Sequence, residues 1–369
     1  MNEEDPVEAR ADGTRDLYDI ARWEPRTALD RLAVRVYRTA LAVARVVLIL
    51  LALAILLAQF LLGGLGAALA QDPYAIGLVV LSVIPALALV GYVYVIDATT
   101  GEPLELLVGA FVLGVLFAGF AAIINTFFSA LQVVPLVGTV LFFYLVVGPV
   151  EESVKLLAVR LYPYRDERFD AVVDGAVYGA AAGLGFATIE NALYITRQLG
   201  ASGGTEALAV LGLGGVAVGT GVLAQTGLGG FLSQIIGEGG GITAVRALAG
   251  PGHVIYSAFA GYYLGLAKFN GDDAGPIVVK GLLIAAFIHG TYNLLAGLVP
   301  LVVSAFFQQV PPILIFFGFV LVYDGVFGGL LVRKLSRYRS AYHAVDDDGR
   351  PADVVDAATL TPERTEFED

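Results

Sequence analysis

Runs of about 20 predominantly apolar residues recur eight times along the chain, and this recurrence limits the fold more than any other feature. A helix needs roughly that many apolar residues to cross a bilayer. The runs lie at about 46–70, 75–96, 104–127, 136–160, 170–195, 245–267, 277–299 and 301–332. The expected fold is therefore all-α, a polytopic membrane helical bundle of about eight transmembrane helices. A further stretch, 207–236, is apolar but dense in glycine. It reads as a ninth span, a re-entrant or hairpin segment, or a close-packed helix of small residues.

Composition excludes a soluble protein, since 57% of the residues are hydrophobic and only 15% are charged. The net charge of -12 does not mark an acidic working surface, because it resides at the two ends. Residues 1–30 carry nine acids against four arginines, and residues 340–369 carry nine against two. Both ends read as hydrated and largely disordered. The chain thus divides into an acidic, arginine-containing cytoplasmic segment at 1–38, a transmembrane domain at 39–335 and an acidic tail at 336–369. The first apolar run begins near Ala40, too deep for a cleaved signal, and is expected to stay as the first span. Cysteine is absent, which removes disulfide and thiolate chemistry.

Basic residues flanking the spans set the expected orientation. Arg31, Arg35, Arg38 and Arg45 favour a cytoplasmic N-terminus, and Arg333, Lys334, Arg337 and Arg339 favour a cytoplasmic C-terminus. Both ends inside require an even number of crossings, in an integral protein of the plasma membrane. On that topology Glu190, His253 and His289 lie within roughly 8 to 15 Å of the external face.

Within the apolar domain a few ionisable groups stand out, because a charge at bilayer depth costs at least ~2.5 kcal/mol and marks a functional site by default. They are Glu151 and Glu152 with Lys155, Glu190 with Asn191, His253, and His289 with Asn293. Each has a plainer explanation. One glutamate of the first pair can be neutralised by Lys155 as a structural pair. Glu190 can be a boundary charge, and a lone histidine can simply bond a neighbouring helix. On an isolated helix Glu151 and Glu152 are about 100° apart and do not aim at one target. Pro149, just before them, is expected to break the helix and start a new helical piece.

Taken together, these groups suit peptide hydrolysis in two ways. A carboxylate takes a proton from water while an imidazole positions it and a neutral donor such as Asn293 stabilises the oxyanion. Alternatively, two histidines and a glutamate hold zinc with one open position while a second glutamate acts as base. No zincin His-Glu-x-x-His helix is present.

The blocks Glu151-Glu152-x-x-Lys155, Phe186-x-x-x-Glu190-Asn191, His253 with Gly261 eight residues on, and His289-x-x-x-Asn293 occur in one order. In that order and spacing the chain resembles the PrsW family of intramembrane proteases, relatives of the CAAX prenyl proteases. The resemblance covers Glu151 to Asn293 and implies a helical bundle that cuts membrane-anchored proteins, with members associated with site-1 cleavage of anti-sigma factors. By the same resemblance Glu151, Glu152, His253 and Asn293 would be catalytic, with Lys155, Phe186 and Asn191 in support. Glu190, His253 and His289 would hold a divalent metal such as zinc if one is bound; a metal-free glutamate mechanism fits the same residues. The implied partners are a membrane-anchored protein substrate and the lipid bilayer, with no nucleic acid. Two other functions use similar residues: a proton-coupled transporter with Glu and His as a relay, and a non-catalytic membrane scaffold. Against the transporter, no duplicated half is evident.

Overall fold

The computed structural model describes residues 26–346 apart from 62–65, 67–68, 70–72, 98, 100, 135 and 201–226. Every regular element among the described residues is helical. The long helices are α1 (Ala28–Leu61), α2 (Pro73–Ile96) and α3 (Leu104–Phe128), succeeded by a broken rod. That rod consists of α4 (Val137–Leu141), a π-helical stretch (Phe142–Val147) and α5 (Gly148–Leu161). Then come α6 (Val172–Gly200), α7 (Gly227–Lys268), α8 (Ala274–Phe306) and α9 (Pro312–Asp346).

Six segments, on α1, α2, α3, α6, α8 and α9, are long and apolar enough to cross a membrane. Their outward faces carry Leu50, Leu81, Val95, Leu283 and Leu321, each more than half exposed. Such faces suit lipid rather than water. The chain is thus an integral membrane protein. The remaining two expected spans, 136–160 and 245–267, fall on the broken rod and on α7.

Several expected boundaries move. The first candidate span is Val34–Leu61, earlier than 46–70, because α1 starts at Ala28 and carries its arginines on helical turns. Helix also occupies 28–38 and 336–346, at the inner ends of both segments expected to be disordered. The boundary placed at Pro300 lies inside α8, and the break comes at 307–311. There Pro311 and Pro312 open α9, where the missing amide hydrogen has no helical partner to lose. Of the glycine-rich stretch, 207–226 lies outside the described residues, and from Gly227 it is part of α7.

Pro149 stands in the first turn of a new α-helical piece, as expected, and the change of ladder comes just before it. The ladder widens to π geometry over Phe142–Val147 and returns to α at Gly148. A π turn accommodates an extra residue and rotates the helix beyond it, a common device where function needs a particular face. Here it sets the direction of Glu151 and Glu152.

The most intimate packing joins α6 to α7 through glycine. A methyl group at Gly179 would meet the Ser257 carbonyl, one at Gly183 the His253 carbonyl, and one at Gly261 the Gly175 carbonyl. Backbones in contact are how helices associate in lipid, where apolar burial supplies no drive. The loop from α5 to α6 is pinned at its base. Lys268, the last residue of α7, donates to the carbonyls of Tyr164 (3.0 Å), Asp166 (3.3 Å) and Phe169 (2.6 Å). Arg168 donates to Asp166 (2.8 Å) and to Glu105 of α3 (2.6 Å), and its bonds hold the Asp166 carboxyl down at about 2.

Candidate functional site

Four helices, α5, α6, α7 and α8, bring the expected polar groups together, and a fifth, α3, adds to them. They border one cavity of about 320 Å³ lined by Glu151, Glu190, His253, His289 and Asn293 with Phe186. Common access to one cavity is what a shared chemical role requires.

The two glutamates have different surroundings. Glu152 is fully buried: its Oε1 accepts from Lys155 Nζ at 2.7 Å and from His289 Nδ1–H at 2.8 Å, and its Oε2 from Ser257 Oγ at 3.4 Å. Glu151 lines the cavity. Its Oε1 accepts from Asn125 Nδ2 of α3 at 2.9 Å, while its Oε2 has no hydrogen-bond partner. That oxygen lies 3.7 Å from His289 Nε2 and 4.0 Å from Lys155 Nζ. Helical geometry alone suggested that the glutamates diverge, but they flank opposite nitrogens of one imidazole. The third helix makes the difference, since α8 places the ring between them.

Carboxylates accept only, so the Glu152 contact fixes the proton of His289 on Nδ1 and leaves the Nε2 lone pair for the cavity in the neutral ring. Two acceptors, Glu151 Oε2 and His289 Nε2, then face each other. Tyr256 stacks on the same imidazole with centroids 5.1 Å apart, which restricts its tilt.

His253 is engaged on both sides. Its Nδ1 lies 2.9 Å from Lys155 Nζ, and its Nε2 lies 2.9 Å from Glu190 Oε2. With lysine as the donor, the ring carries its hydrogen on Nε2 and offers it to Glu190. Glu190 is also paired with Arg246, whose Nε donates to Asn191 Oδ1 at 2.7 Å. Asn191 in turn donates to Ser82 Oγ of α2 at 3.0 Å. Asn191 therefore holds Arg246 and is itself fully buried. Phe186 lies beneath Lys155, 4.4 Å from ammonium to ring centroid, and beside His253 at 5.5 Å.

Two further residues of the site, Asn125 and Arg246, do not stand out in the sequence. Arg246 sits at the start of an apolar run and looks like a boundary charge, yet it precedes His253 by seven residues and so shares its face. Asn125 is a neutral residue near the end of a run and carries no such signal.

The donor set that lies close enough to hold one metal ion is Glu151, His253 and His289, with one ligand atom of each within 4.8 Å of the others. Glu151 takes the place expected for Glu190, whose carboxylate is committed to Arg246 and His253. Its chemistry fits a metal: His289 has its second nitrogen anchored on a carboxylate, as metal-bound imidazoles usually do. His253 has no such freedom while Lys155 occupies its Nδ1.

Membrane-crossing helices around a cavity of buried carboxylates and imidazoles are the make-up of an intramembrane hydrolase. Residues 102–323 match the PrsW family, described as PrsW family intramembrane metalloprotease, and the chain belongs to that family. It is similar to Protease PrsW of Bacillus subtilis, 28% identical over 57% of this chain and 78% of that protein. Similarity to Protease PrsW of Geobacillus kaustophilus is 29% over 57% and 76%, and to that of Shouchella clausii 26% over 59% and 82%. No solved structure matches. The chain is accordingly an intramembrane protease.

Proposed function

We propose that the protein cleaves membrane-anchored proteins with Glu151 as the base that activates water. The observation that carries this is the unpartnered Glu151 Oε2 facing His289 Nε2 across 3.7 Å in the cavity. A water molecule about 2.8 Å from each acceptor gives one hydrogen to each. Its oxygen lone pair is then directed at a peptide carbonyl in the cavity. As the new C–O bond forms, Glu151 takes the proton and passes it to the departing amine, while the C–N bond breaks. Asn125 holds the carboxylate from its other oxygen. The Asn293 amide, on the cavity wall, serves as donor to the oxyanion.

Glu152 works through His289 by fixing its tautomer, and Lys155 neutralises Glu152. Arg246 and Glu190 orient His253. These are positioning roles. Should a zinc ion bind, Glu151, His289 and His253 would hold it, His253 after Lys155 withdraws; Glu151 would then be a ligand in place of the base, and the ion would polarise the carbonyl and acidify the water. An outward-opening cavity and an anti-sigma-factor-like substrate agree with the charge-based topology and the family resemblance.

Comparative membrane proteomics of cells with the intact gene and with Glu151→Gln tests the reading. Membrane proteins that persist uncut only in the variant are its substrates. An identical set of cleaved membrane proteins in both strains would refute it. The relay alternative has its own outcome, proton flux into proteoliposomes that depends on Glu190 without proteolysis.

A further inference from the structure

A second group of carboxylates lies at the other end of the bundle. Asp97 comes directly after α2, Glu102 precedes α3, and Asp174 stands in the first turn of α6. Sixteen residues of α6 separate Asp174 from Glu190, or about 24 Å along the helix, so this group is separate from the proteolytic cavity. One oxygen from each of the three lies within 4.8 Å of the others.

What sets the cluster apart from an ordinary acidic turn is its unpartnered atoms. Glu102 is only 4% exposed, and its carboxylate has no hydrogen-bond partner outside the cluster, where Asp97 lies within reach. Asp97 Oδ2 is likewise without one, although Thr99 Oγ1 donates to Asp97 Oδ1 at 2.7 Å. Asp174 is held in place by the backbone amides of Asp170 (2.8 Å) and Ala171 (2.9 Å), which both donate to its Oδ2. One turn further on, the Tyr178 hydroxyl is also buried and unpartnered, within the field of Glu102 and Asp174. Unpaired buried carboxylates are costly, and three together repel.

We infer that Asp97, Glu102 and Asp174 form a site for a hard divalent cation that clasps the end of α2 and the start of α3 to the start of α6. The donors are all oxygen, which selects hard cations over zinc or copper. Asp97 is part-exposed, so the cluster lies close to the surface.

The test uses the full-length protein in detergent and terbium as a calcium probe, since tyrosine beside the site sensitises its luminescence. The expected result is saturable terbium luminescence displaced by calcium, with a calcium-dependent rise in the unfolding temperature. Both are expected to disappear in Asp97→Asn/Glu102→Gln, which leaves the cavity of Glu151 and His289 untouched. Should that variant fail to accumulate, Asp97→Asn alone is expected to weaken calcium at least roughly tenfold. Terbium binding that survives unchanged in the variants would overturn the inference. So would a metal-free variant that matches or exceeds the wild type while calcium does nothing to either, which would mean that the acids share protons instead.

Discussion

Glu151 and Glu152 are neighbours in sequence and share Lys155 and His289, but only Glu152 is hydrogen-bonded to both. Glu152 is locked between Lys155 and His289, whereas Glu151 keeps one oxygen free at the cavity. Glutamine is nearly isosteric, so Glu151→Gln is expected to accumulate and unfold like the wild type while losing cleavage. Glu152→Gln is expected to lose cleavage and also to unfold more readily, because buried Lys155 loses its closest carboxylate and keeps only Glu151 at 4.0 Å. Breaking a buried pair costs about 3–5 kcal/mol. Thermal unfolding of the two purified variants checks the contrast, and equal melting temperatures would count against it. Arg246→Lys keeps the charge but not the fork that reaches both Glu190 and Asn191. It is expected to reduce cleavage by at least about tenfold, with membrane levels preserved, as a peptide-release assay on membranes would show. The sequence singled out the carboxylates, imidazoles and Asn293 as out of place in apolar runs, and Glu151, Glu190, His253, His289 and Asn293 border one cavity. It did not reveal their pairing. Which glutamate meets Lys155, and which faces free space, depends on where α7 and α8 bring His253 and His289.

At the scale of the elements, the site depends on how closely α6 and α7 approach. The glycines that permit this are spaced four apart on α6 and face the carbonyls of α7. A leucine at Gly179 would force the helices apart where Ser257 and His253 line up with Glu152 and Glu190. Gly179→Leu is therefore expected to abolish cleavage and lower the amount of folded protein, read by detergent-extracted size-exclusion profile. Gly318 of α9 has no atom within contact distance of an added methyl, so Gly318→Ala is the matched control and is expected to behave as wild type. Helix existence was legible from length and apolarity alone. Helix ends were less so: Pro300 sits within α8, because a neighbouring ladder can re-register around a missing amide hydrogen. The first span was placed late because arginines on α1 look like a loop when read by composition.

For the whole molecule, the bundle makes hydrolysis possible in lipid by walling polar groups into one cavity and presenting aliphatic faces outward. Family membership fits that architecture and leaves the metal as a chemical question. If zinc takes part, elemental analysis of active purified protein will find it in stoichiometric amount, and His289→Ala will lose it. If Lys155 stays on His253, fully active protein will be free of zinc. The role of Glu151 is decided by the rate at which purified protein in liposomes cuts a membrane-anchored substrate, wild type against Glu151→Gln at matched unfolding temperature. A fall of about 10²- to 10⁴-fold is predicted from the loss of a general base. Cleavage by the glutamine variant at the wild-type rate would contradict the assignment of Glu151 as that base.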